Sequence, residues 1–179
     1  MQALNAAWKK IGENRMRAKN IFFSVRFVGI LAAILLGSGT LKAGSSPEYP
    51  PLSIPFEAEP VSVDNVYYFS GHSGVPGKQN EGFTANAGFV ITDRGVVVFD
   101  ALGTPSLGAA MIDKIREMTE SPITHVVISH YHADHVYGLQ AFKEKTKAKV
   151  FAQESSSRYI NSPEAAQRLN QRKQALSPW

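Results

Sequence analysis

The side chains best suited to chemistry are concentrated in one stretch, His130-Tyr131-His132-Ala133-Asp134-His135, which holds three of the chain's five histidines and a carboxylate. In an extended segment, residues two apart point the same way, so the imidazoles of His130 and His132 can converge on one metal ion. Asp134 and His135 come where the chain should turn into a helix, and they can face a second ion close by. Ring nitrogen and carboxylate oxygen are the donors zinc takes in hydrolytic sites, with one position left open for water. A chance gathering of surface or core histidines is the bland alternative, and the density of the stretch argues against it. The spacing also excludes a site of the H-E-x-x-H kind, with both histidines on one helix.

The flanking segments must aim these residues. Thr124-His125-Val126-Val127-Ile128-Ser129 is rich in β-branched residues and reads as a buried strand, so the histidine stretch leaves its end as a loop. His125 lies inside that strand and is expected to be packed or hydrogen-bonded rather than a ligand. Upstream, Thr104-Pro105 is a helix start, with Thr as N-cap and Pro in the first turn. Leu107, Ala110, Met111, Ile115 and Met118 recur at helical spacing, which predicts an apolar face on the sheet with both methionines in the core. Strand, helix and strand then form a crossover that puts the histidines at the carboxyl end of a strand, where open α/β sheets bind ligands.

Before this unit, Val61 to Ser70 is a β stretch and Gly71 to Gly82 a polar loop. Two strands follow, Asn86 to Thr92 and Val96 to Asp100, joined by Asp93-Arg94-Gly95 with the glycine where positive φ is needed. Gly77-Lys78 is not a phosphate loop, because His72 stands where its first glycine would be and Gln79 follows the lysine. After the histidines a helix is predicted from about Asp134 to Lys145, with Val136, Leu139 and Phe142 buried and Gly138 permitting close packing. Lys149 to Gln153 is a further strand, and Ser162-Pro163-Glu164 opens a last helix running to about Leu176.

The H-x-H-x-D-H pattern after a hydrophobic strand resembles the metallo-β-lactamase superfamily, over roughly Phe56 to Trp179. The resemblance implies an α/β fold, a four-layer αββα sandwich of two similar halves, of which this chain covers the N-terminal one. It implies two zinc ions per intact site, the first on His130 and His132, the second on Asp134 and His135. Asp134 would also be catalytic, orienting the nucleophile and passing protons, and a metal-activated water would attack a carbonyl-type small molecule of the β-lactam, thioester or lactone class. Asp100 would support the histidine loop, or else cap the turn after its strand; the loop from Gly71 to Gly82 would border the substrate groove, or else be an ordinary solvated hairpin. The phrasing from Gly82-Phe83-Thr84-Ala85-Asn86 through Ser129-His130-Tyr131-His132 is most similar to exported zinc metallohydrolases associated with quinoprotein relay and sulfur-oxidation systems.

No histidine follows His135 and no Asp follows Asp134, so the third ligand of each ion is expected from a missing C-terminal half or a partner. The apolar sheet face meant for that half should lie open. The alternative to an enzyme is a truncated, non-catalytic metal- or partner-binding half-domain.

Net charge is +4, but residues 1–43 hold seven Lys or Arg against one Glu, so the remainder is net −2 and does not call for nucleic acid. The basic stretch from Lys143 to Lys173 has little aromatic interleaving and reads as solvated helix faces. Residues 1–43 have a basic front, the apolar run Phe27 to Leu36 and a small-residue exit ending at Ala43, as a secretory signal peptide does, with Met16 as a possible true start. The other reading is an inner-membrane anchor from Ile21 to Leu36, the chain's one route to a membrane. A periplasmic or secreted protein follows from the first. Residues 44–55 read as a Pro/Ser-rich linker and 56–179 as the folded domain. Without cysteine, any metal site must be built from nitrogen and oxygen.

Overall fold

The computed structural model describes residues 48–179. The expected leader over 1–43, with its cleavage or anchoring, and the first residues of the linker fall outside the described residues. Among the described residues no helix is long and apolar enough to cross a membrane.

Alternating and β-branched segments build one six-stranded sheet whose spatial order follows the sequence. β1 (Glu59–Pro60), β2 (Val66–Phe69), β3 (Ala87–Thr92) and β4 (Gly95–Phe99) are antiparallel neighbours. β5 (Ile123–Val127) and β6 (Lys149–Phe151) then add in parallel. At the β3–β4 turn Gly95 has φ +117°, and a Cβ there would lie 2.5 Å from Thr124 Cγ2, so this turn requires glycine twice over.

Between β4 and β5 runs α1 (Pro105–Met118), started by Thr104, whose Oγ1 accepts from the Leu107 amide at 3.2 Å. Leu107, Met111, Ile112 and Ile115 are fully buried, whereas Met118, predicted in the core, is 40% exposed at the last helical residue. At about 100° per residue, Ile112 and Leu107 bracket Ile115, while Ala110 lies outside that arc; the buried face is therefore centred nearer Ile112 than the sequence reading had it. The helix predicted after the histidines is broken in two, α2 (Ala133–Val136) and α3 (Leu139–Lys145). The Gly138 amide donates to Leu102 O at 3.0 Å, a partner outside the helix, and this interrupts the ladder. A Cβ on Gly138 would sit 1.8 Å from Ala101 O, so only glycine lets the two backbones meet. Beyond β6 come α4 (Ser156–Ile160), which the sequence reading missed, and α5 (Ala165–Leu176).

Register divides the sheet into two faces. Tyr67, Phe89, Val98, Val126 and Val150 form one cross-strand row; this side packs with α1 and α3 into the core. The adjacent row, Tyr68, Gly88, Phe99, Val127 and Phe151, points the other way, and Phe99 and Phe151 are 46% and 52% exposed. The expected open apolar face is present on the described residues.

Residues 48–55 have no regular secondary structure but do not behave as a free linker. Tyr49, Leu52 and Ile54 pack against the core. The Ser53 amide donates to both Glu81 carboxylate oxygens at 2.9 and 3.0 Å, and the Tyr49 hydroxyl donates to Glu144 on α3. Phe56 stacks on Phe69 with ring centroids 4.6 Å apart. The apolar residues between the prolines account for this: 49, 52, 54 and 56 give the extended segment a side that the core can bury.

Candidate metal centre

β5 delivers the histidine stretch and β4, its parallel neighbour, delivers a carboxylate beneath it. Asp100 and Leu102 both take left-handed backbone, with φ 63° and 68°, in a tight turn off the end of β4. Non-glycine residues pay for that conformation, and such strain persists where surrounding contacts fix it. Here they do: the Asp100 amide donates to Val127 O at 2.8 Å and the Ala101 amide to His135 O at 2.9 Å.

The buried Asp100 carboxylate then orders the loop. Its Oδ1 accepts from the Ser129 amide at 2.8 Å, and its Oδ2 accepts from Ser129 Oγ at 2.7 Å and from His135 Nδ1 at 2.8 Å. With its proton given to Asp100, Ser129 Oγ can accept from His130 Nδ1, 2.9 Å away. This assigns the proton to Nδ1 in both His130 and His135, and leaves Nε2 of each unprotonated, an acceptor or a ligand. One carboxylate thus presents two imidazoles, His135 directly and His130 through a serine, the way outer hydrogen bonds orient metal-binding histidines. Of the two sequence readings of Asp100, support of the loop is the one the geometry bears out.

His130 Nε2 and His132 Nδ1 are 3.1 Å apart. Two nitrogens at 2.0–2.1 Å from a tetrahedral zinc would be about 3.3 Å apart, so the pair fits one ion. His135 Nε2 lies 3.9 Å from Asp134 Oδ2. That second pair is looser, and the His130 and His135 rings, with centroids 4.0 Å apart, place the two pairs side by side. All four residues singled out in the sequence come together, as two sets of two: among the described residues no group of three or more His, Asp or Glu is gathered to hold an ion. The donor chemistry fits zinc, and each ion would still need a third protein ligand.

Protonation follows the same contacts. Burial, and then the charge of His135 and His132, lower the pKa of His130 below 6.5 and keep it in the neutral form a metal needs. The hydrogen bond to Asp100 raises His135 above 6.5 against its burial. For Asp100 burial is the largest influence and acts upward, but the hydrogen bonds from His135 and Ser129 together outweigh it, and its pKa is lowered from 3.8. His125 and His72 are occupied elsewhere. His125 Nδ1 is 2.9 Å from Thr124 Oγ1 and its ring packs on Phe151, while His72 stands edge-on to Phe83.

A cleft of about 500 Å³ opens beside the loop, lined by His132 and Asp134 on one side and by Tyr159, Arg168 and Arg172 on the other. Pro76 also lines it. The loop from Gly71 to Gly82 therefore borders the cleft, held by Asn80, whose Oδ1 accepts from the Gly77 and Gly82 amides at 2.9 and 3.1 Å. Arg168 and Arg172 were missed in the sequence, where they counted as a solvated helix face. The signal available was their spacing of four on α5, with an aromatic residue shortly upstream.

Residues 80–175 match a family model described as the metallo-beta-lactamase superfamily. Among solved structures, the chain is similar to a metallo beta lactamase from Hirschia baltica, with 19% identity and a TM-score of 0.50, over 64% of this chain and 48% of that one. FIM-1, a metallo-beta-lactamase from Pseudomonas aeruginosa in its mono-zinc form, is 18% identical with a TM-score of 0.48, over 69% of this chain and 49% of that one. The chain thus spans about half the length of these structures, and the likeness to the first, at this identity, bears on the fold alone. No curated protein matches the chain in sequence.

Proposed function

Because the chain belongs to the metallo-beta-lactamase superfamily, we propose that it is the metal-holding half of a zinc-dependent hydrolase acting on a carbonyl-type small molecule. The observation that carries this reading is the placement of the donors. The hydrogen bonds from Asp100 leave Nε2 of His130 and of His135 unprotonated, and His130 Nε2 lies 3.1 Å from His132 Nδ1. His130 and His132 would hold one zinc, and Asp134 and His135 a second. Zinc in such a site supplies Lewis acidity, bringing the pKa of water to about 7 and polarising a carbonyl. Asp134, partly exposed at the cleft wall, would orient the attacking water by a hydrogen bond and take its proton at a carboxylate oxygen. The third ligand of each ion and the cover of the open sheet face would come from a second half, in the same protein or a partner. The leader over residues 1–43 would take the protein to the periplasm, with a mature N-terminus near Gly44, as in the exported metallohydrolases of quinoprotein relay and sulfur-oxidation systems.

The test uses the chain joined to a half that completes the sandwich. The double change His130→Ala and His132→Ala should remove most zinc and hydrolysis, while His125→Ala and His72→Ala leave zinc content nearly intact; equal zinc in the double variant would reject the site. The second reading, a non-catalytic half-domain, draws on the absence of any three-ligand group among the described residues. Under it residues 44–179 alone bind zinc weakly, self-associate and hydrolyse neither a chromogenic β-lactam nor a thioester. A soluble monomer of that piece holding two zinc ions and turning over either compound would contradict it.

A further inference from the structure

The wall of the cleft opposite the zinc-binding loop has a chemistry of its own. Arg168 and Arg172 are four residues apart on α5, so both guanidinium groups lie on one helix face, and both line the cleft. Arg168 is fixed in place. Its Nη2 donates to Tyr159 O at 2.7 Å and to Ser162 Oγ at 3.0 Å, and its guanidinium carbon lies 3.9 Å from the Tyr159 ring centroid. The Tyr159 ring packs on Tyr131, with centroids 4.4 Å apart, so an aromatic bridge ties this arginine to the histidine loop itself. Arg172 is different: it is partly buried and lines the cleft, yet among the described residues it makes no hydrogen bond or ion pair.

Charge decides what the cleft should take. Asp134 is the one carboxylate in the lining, against two arginines, and it is committed to the metal in the function proposed above. Residues 44–179 are net −2, so the cationic wall, part of the basic stretch from Lys143 to Lys173, stands out from the rest of the domain. A planar guanidinium with its donors free is matched by an oxyanion that can accept two parallel hydrogen bonds. The volume, about 500 Å³, is that of a small-molecule site.

We propose that this wall is an oxyanion subsite: the substrate carries a carboxylate or phosphate group, gripped by Arg172 beside the fixed Arg168, while its reacting carbonyl reaches His132 and Asp134 across the cleft. The subsite itself needs no metal; only the word substrate rests on the hydrolase reading.

Ligand-observed NMR on the full zinc-free chain tests it, with succinate, inorganic phosphate and the neutral succinamide as probes. Succinate or phosphate should bind, succinamide should not, and the stronger of the two anions names the group. Arg172→Gln should weaken binding at least tenfold and Arg172→Lys by less, with melting temperatures unchanged, while Arg158→Gln, an exposed cation outside the cleft, leaves binding as it was. No anion binding, equal binding of succinamide, or equal losses in the Arg172 and Arg158 variants would each overturn the subsite. Succinate binding through Arg172, with no zinc taken up once the chain is joined to a half that completes the sandwich, would keep the subsite and reject the hydrolase. Zinc uptake without anion binding would do the reverse.

Discussion

The two faces of the sheet are both apolar, yet they have opposite fates. Phe89, Val98 and Val126 lie under α1 and α3 and are 1% exposed or less, while Phe99 and Phe151, one residue further along their strands, are about half exposed. Hydrophobicity alone therefore does not locate this core. The covered side is chosen by where the helices return to the sheet, because strand residues alternate faces. Asp100, which follows Phe99, falls on the covered side and is buried. The face that stabilises the chain thus also carries the carboxylate that orders the histidine loop, and the other face stays open among the described residues.

Three variants probe this difference. Phe89→Ala, on the covered face, should cost about 3–5 kcal/mol in urea denaturation; a cost near 1 kcal/mol would mean that the helices do not define the core. Asp100→Asn keeps the shape and removes the charge, and should lower zinc affinity by about 10–100-fold in a competition titration. In zinc-free protein it also has a pH signature. The raised pKa of His135 contributes stability below 6.5 that is lost as pH rises through its folded value. The lowered pKa of Asp100 contributes stability above 3.8 that is lost as pH falls through its folded value. The pair therefore stabilises most between these limits, and the Asn variant should flatten the stability profile there. An unchanged profile would separate Asp100 from His135. The smallest effect belongs to the open face: Phe99→Ser with Phe151→Ser should change stability by about 1 kcal/mol or less and reduce self-association in sedimentation. A loss as large as that of Phe89→Ala would place these residues in the core instead.

What the sequence made legible was local. The α1 cap at Thr104-Pro105 and the turn at Gly95 each depend on neighbours in the chain, and each came out as read. What it hid depends on distant partners. The break at Gly138 is set by Leu102 O and Ala101 O. The link from Asp100 to His135 spans 35 residues and exists only because β4 and β5 are parallel neighbours. Arg168 and Arg172 looked like a solvated face because their spacing of four does not by itself say that α5 returns to the histidine loop.

The central claim is that Asp100 presents His130 and His135 with Nε2 unprotonated. Long-range imidazole ¹H–¹⁵N NMR during a zinc titration reads it directly. Before zinc, His130 should carry its proton on Nδ1. On addition, Nε2 of His130, Nδ1 of His132 and Nε2 of His135 should shift, while His72 and His125 stay in place. Zinc entering through Nδ1 of His130, or shifts at His72 or His125 in place of the loop histidines, would contradict the account.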